Sequence, residues 1–95
     1  MIEDIFSGLK QMGAVRSTDE FSTEWLGREK SYMRCMRARR RLPSSAVLAT
    51  CAVRLLRTAD GLRISRLPPA QENGLKLRSL ANKCLEEILT QGARR

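Results

Sequence analysis

The sequence contains no histidine. That removes the commonest general base and the commonest metal ligand. Cysteine is scarce and odd in number, with Cys35, Cys51 and Cys84 set far apart and no CxxC spacing. This argues against a disulfide framework or a zinc site. The three thiols read instead as small core residues of a protein in a reducing compartment. Cys35, lying among arginines, is the one candidate for a redox-active thiol. Aromatic residues make up 4% of the chain, too few for a row of base-stacking platforms. Apolar runs stay well short of the roughly 18 residues that a membrane span needs. The opening Met-Ile-Glu-Asp-Ile is acidic, unlike the basic start of a secretory leader. Gly-rich phosphate loops and metal-ligand spacings are both missing. The close carboxylate pairs Glu3-Asp4, Asp19-Glu20 and Glu86-Glu87 read as helix-end or surface charges. The expectation is therefore a non-enzyme with no cofactor, no metal, no small-molecule substrate and no membrane attachment.

What the chain has in excess is positive charge. Its 95 residues hold 18 Lys+Arg against 10 Asp+Glu, a net charge of +8. Residues 1–27 sum to −3, residues 28–66 to +9 and residues 67–95 to +2. Between Arg28 and Arg41 stand seven basic residues and one acid, Glu29. Concentrated positive charge attracts polyanions and speeds their capture. Fourteen of the 18 cations are arginine, whose planar fork matches phosphate and the guanine edge in two-point geometry.

The hydropathy pattern is helical almost throughout. Ile2, Ile5, Phe6, Leu9 and Met12 recur at spacings of three and four, which predicts a helix over 2–12 ended by Gly13 in a left-handed cap. Ser17-Thr-Asp-Glu20 is a capping box that opens a short helix over 18–26, with Phe21 and Trp25 on one face. A third helix over 29–39 carries an apolar stripe of Tyr32, Cys35 and Met36, with Met33 between that stripe and the polar side. Arg39-Arg40-Arg41-Leu42-Pro43 is a basic connector, and Ser44 caps a fourth helix over 45–58. Its stripe is Val47, Leu48, Cys51, Ala52, Leu55 and Leu56. Asp60-Gly61 signals a turn, and alternation at 62–66 suits a short extended piece ended by Pro68-Pro69. A last helix over 74–90 has a seam of Leu77, Leu80, Ala81, Cys84, Leu85 and Ile88. Trp25 and Tyr32 read as packing residues, and Arg54, Arg57, Arg63 and Arg66 as solvated.

This order of elements, with Phe21 as an apolar anchor, Ser22 as a small residue, Leu26-Gly27 in a turn and Pro43-Ser44 opening the fourth helix, resembles the Cro/repressor (XRE-type) helix-turn-helix DNA-binding proteins over residues 2–58. Tyr32 and Met36 match the buried positions of that family's recognition helix. Three departures are visible. Residues 21–27 run about one position longer than the family's second helix and turn, Trp25 stands where a smaller residue is common, and Arg37-Ala-Arg-Arg-Arg replaces the usual Glu-Arg-Gly-type ending. The resemblance implies an all-α fold: a small five-helix domain with a helix-turn-helix (lambda-repressor-like) core over 1–60, and a connector with a C-terminal helix over 61–95 that packs or dimerises.

The implied function is a sequence-specific regulator of transcription in the cytoplasm, at the nucleoid, that binds double-stranded DNA as a homodimer. The third helix would enter the major groove. Lys30, Ser31, Arg34 and Arg37 would then face base edges, and Arg28, Arg39, Arg40 and Arg41 would meet phosphates. Amides at Ser17–Asp19 could meet a phosphate too, against the pull of the acids there. The alternative is an adaptor or antitoxin-like regulator that turns the same basic face toward an acidic protein. An RNA-binding protein is a third reading, disfavoured by the burial expected for the aromatics.

Overall fold

The computed structural model describes residues 2–63 and 68–93. All the regular structure there is helical, in five segments with no strand among the described residues. Helix α1 spans Ile2–Gln11, with Glu3 and Asp4 in the first turn, where they favour the helix dipole. Gly13, at φ +75°, ends it as expected. The Gly13 amide donates to Lys10 O and the Ala14 amide to Leu9 O, which is the pattern of a Schellman cap.

Helix α2 begins where the capping box places it. Ser17 Oγ accepts from the Glu20 amide at 3.1 Å. It is α-helical over Thr18–Glu20 and then widens into a π turn over Phe21–Trp25. The Leu26 amide reaches back five residues to Phe21 O. Such a turn accommodates one residue more than an α turn. Gly27, at φ +65°, then reverses the chain. A side chain there would also lie 3.1 Å from Arg54 Nη2 and 3.2 Å from Thr50 Cγ2.

Helix α3 is shorter than its sequence pattern, running from Tyr32 to Arg39, so Lys30 and Ser31 precede it. Met33, not Cys35, is its core anchor, at 1% exposure, while Cys35 is exposed and Tyr32 and Met36 are half-buried. The shift follows from the later start. With only two turns, α3 inserts one side chain, and its register is fixed by a bond from α2. The Met33 amide donates to the buried Ser22 Oγ at 3.1 Å, and Ser22 in turn donates to Thr18 O at 2.8 Å.

Helices α4 (Ser45–Arg63) and α5 (Pro68–Ala93) form the long hairpin on which the rest packs. Ser44 caps α4 through a bond from the Val47 amide. The turn expected at Asp60-Gly61 does not form, because α4 continues through both residues. Ala59 is fully buried on α4 and Leu62 packs against the core cluster, which outweighs the roughly 1 kcal/mol cost of an internal glycine. Residues 62 and 63 are helical, so the extended reading fails there, and 64–67 lie outside the described residues. Pro68 and Pro69 open α5 instead of ending a strand. Proline suits a first helical turn, whose amides have no partner within the helix. Of the expected α5 seam, Leu77, Leu80, Ala81 and Cys84 are buried, Ile88 is half-buried and Leu85 is exposed.

The core takes residues from every helix, with Ile5, Phe21, Met33, Leu55 and Ala81 among those at 1% exposure or less. Cys51 and Cys84 meet inside it. The Cys84 thiol beside it, together with burial, pushes the Cys51 thiol up and keeps it protonated.

Replacing Ser22 with alanine strips the Met33 amide of its buried acceptor. The expected loss is about 1–3 kcal/mol of stability, read as a lower urea midpoint at unchanged slope.

Candidate nucleic-acid interface

The basic stretch forms an arc that begins in the turn after α2, follows α3 and ends in the connector to α4. Arg28 stacks its guanidinium over the Tyr32 ring, 5.4 Å from the centroid. Lys30 is exposed in the turn, and Ser31 is the N-cap residue of α3 but makes no capping bond with its side chain. Arg34 lies along α3 with Nε 3.2 Å from Asp19 of α2, both side chains being about half exposed. Asp19 thus engages Arg34 at the α2 N-terminus that the sequence offered as a phosphate site.

Arg37 is committed differently. It donates through Nε to Glu3 Oε1 and through Nη2 to Glu3 Oε2 at 2.7 Å. Its guanidinium also sits 5.7 Å from the Phe6 centroid. This two-point pair ties α3 to α1. The hydrogen bond from Arg37 holds the Glu3 carboxyl below its ordinary value of 4.5, burial acts against it, and the attraction of the Arg37 charge adds to the lowering.

Arg39, Arg40 and Arg41 are exposed and form no ion pair among the described residues. Arg40 takes the left-handed conformation, φ 51° and ψ 41°. Its amide donates to Arg37 O and that of Arg41 to Met36 O, which is the Schellman geometry that ended α1 at Gly13. An arginine therefore stands where glycine is the unstrained choice. The chain reverses at Arg40, so the three successive arginines span the end of α3 and the start of the connector.

Between α3 and the start of α4 lies an open groove of about 990 Å³. Arg28, Glu29, Arg39 and Arg41 line it together with Tyr32, Met36 and Val47. The eight residues singled out from the sequence thus fall into three groups. Among the described residues, Arg28, Lys30, Arg39, Arg40 and Arg41 have no acidic partner, Arg34 and Arg37 have one each, and Ser31 sits at the α3 N-terminus.

Two residues that shape the site were missed. Ser22 was read only as small, yet its hydroxyl fixes where α3 begins. Arg54 was read as solvated, yet it is half-buried and donates from Nη1 to Thr23 O at 2.9 Å and Glu24 O at 2.8 Å. Those carbonyls belong to the π turn, and Arg54 gives them a charged donor from α4. The one sequence signal was that residues 21–27 run about one position longer than the pattern they resemble.

Among the described residues, no group of three or more His, Cys, Asp or Glu is placed to hold a metal ion. No described helix is both long and apolar enough to cross a membrane. The chain belongs to a family of unknown function, DUF6626, whose model matches residues 2–95. No match was found among curated proteins or among solved structures.

Two expected outcomes follow from the pairs and the strain. Glu3 has a folded pKa below its unfolded one, so its contribution is complete above about 4.5 and is lost as the pH falls through the folded value. Wild type should exceed Glu3→Gln in stability by about 0.5–1 kcal/mol at neutral pH. In denaturation curves across pH, the gap should close well below 4.5. Arg40→Gly relieves about 1–2 kcal/mol of left-handed strain and adds about 0.5–1 kcal/mol of chain entropy cost. The net gain of about 0.5–1 kcal/mol should appear as a raised Tm.

Proposed function

We propose that this chain is a regulator that binds double-stranded DNA through the arc from Arg28 to Arg41, with α3 as the element that approaches the groove. The observation that carries the reading is the set of five cations, Arg28, Lys30, Arg39, Arg40 and Arg41, exposed on one continuous stretch and, among the described residues, matched to no carboxylate. Elsewhere on the arc the chain does pair its arginines. In this reading the five meet phosphates and provide affinity that is blind to sequence.

Arg34 is the candidate for reading base edges. Its exposed pair with Asp19 is worth about 0–1 kcal/mol, less than the roughly 1–3 kcal/mol of a two-point contact with guanine, so exchange of partners is downhill. Arg37 gives up more, since its bond to Glu3 is two-point and its guanidinium also lies against Phe6. Its part is to hold α3. Lys30 and Ser31, at the α3 N-terminus, complete the edge. The reading places the protein at the nucleoid and leaves its target sequence to be selected.

A second reading is favoured by the groove. Its lining combines Arg28, Arg39 and Arg41 with Tyr32, Met36 and Leu42, the last 62% exposed, and apolar side chains among cations would suit an acidic amphipathic segment of a protein partner better than a phosphate backbone.

The test is a salt titration of binding to duplex DNA. Five phosphate contacts give a slope of log affinity against log salt of about −4 to −5. Changing Arg39, Arg40 and Arg41 together to alanine should reduce that slope by about 2–3 and weaken all duplexes alike. Arg34→Ala should instead flatten the preference among duplexes. Binding that is absent at low salt, or indifferent to both variants, would overturn the DNA reading.

A further inference from the structure

On α5, Leu75, Arg78, Asn82, Leu85 and Leu89 follow one another at spacings of three, four, three and four. That is the spacing of a seam between packed helices. It is distinct from the inner seam of Leu77, Leu80, Ala81 and Cys84, which is buried against α4 and α1. All three leucines of the outer row are open to solvent, Leu75 at 70%, Leu85 at 44% and Leu89 at 74%. On α4, Ala49, Val53, Leu56 and Asp60 form a second row at spacings of four, three and four, with Val53 47% exposed. The two rows adjoin, because Arg78 of one bonds Asp60 of the other at 3.0 Å.

We infer that this face of the α4–α5 hairpin is covered by a second copy of the same chain, packed about a two-fold axis with Asn82 opposite Asn82. Three features favour a copy over any other occupant. The first is charge. In a protein of net +8, two copies repel wherever cations face each other, yet the charged pair within these rows, Arg78 and Asp60, is internally neutral. The second is the polar residue at the middle of the row. A side-chain amide both donates and accepts, so Asn82 can satisfy its own image, and the midpoint of the row meets its image whether the two helices run parallel or antiparallel. The third is area. About 28 Å of overlap along the 19 residues of α4, across two helices some 20 Å wide, outlines roughly 600 Å² per copy. Roughly 1,200 Å² in all falls at the lower end of stable interfaces. The inference stands apart from the DNA reading, since these rows contain no residue of the Arg28–Arg41 arc.

Light scattering across a concentration series tests it. Wild type should weigh twice 10.8 kDa. The doubly changed Leu85→Glu, Leu89→Glu chain should weigh 10.8 kDa with an unaltered helical spectrum. Leu42→Glu, exposed but off the face, should remain a dimer. A wild type that stays monomeric up to about 100 μM, far above a typical Kd for a standard interface, would overturn the inference. So would a dimer that survives both glutamates. Should those variants unfold, Asn82→Cys in a Cys35→Ser background is the second readout. Mild oxidation should give a reducible cross-linked pair, and its absence would equally overturn the face assignment.

Discussion

Ser22 Oγ accepts a hydrogen bond from the Met33 amide inside the core and donates its own to Thr18 O, so α2 and α3 share one buried hydroxyl. The start of α3 is set by that bond. A two-turn helix buries a single side chain, Met33, and has little packing of its own to hold an orientation. With Ser22 in place, α3 begins at Tyr32 and turns Arg34 and Cys35 outward. The π turn of α2 supports the same junction. It holds the extra residue that brings Trp25 and Leu26 both into the core, and Arg54 of α4 braces the Thr23 and Glu24 carbonyls. Gly27 makes the reversal possible at φ +65°, at a point where an added side chain would also crowd Arg54 and Thr50.

The arginines of the basic stretch divide by what holds them. Arg37 is structural, making two bonds to another helix, as Arg54 does from outside the stretch on α4. Arg34 is tethered weakly. The remainder have no carboxylate partner among the described residues, and one of them, Arg40, is kept in a conformation that glycine would adopt without strain. A chain under selection for stability alone would gain from glycine there. Retaining a cation at that reversal fits a protein whose basic end is its working surface.

The helices of the fold were legible where apolar spacing is regular, as at Ile5, Phe6 and Leu9 on α1 and at Val47 through Leu55 on α4. Caps were legible too, because Ser17, Gly13 and Ser44 act within one turn of themselves. What could not be read were features decided by tertiary partners. Asp60-Gly61 has turn chemistry, but Ala59 and Leu62 bury against the hairpin and keep it helical. Pro68-Pro69 reads as a stop or a start, depending on the partners of the neighbouring amides. Cys35 and Met33 are two residues apart on a short helix, and only the bond from Ser22 decides which one faces inward. At the candidate site, the residue types and charges were visible, but not their partners. Glu3 lies 34 positions from Arg37, and Asp19 lies 15 from Arg34.

Amide hydrogen exchange, measured with and without a duplex of about two turns, bears most directly on the claim that α3 and its flanks are the working surface. The account expects new protection confined to Arg28–Arg41, with the amides of α4 beyond its first turn and those of α5 unchanged. Protection that falls on α5 instead, or none at all at low salt, would contradict it.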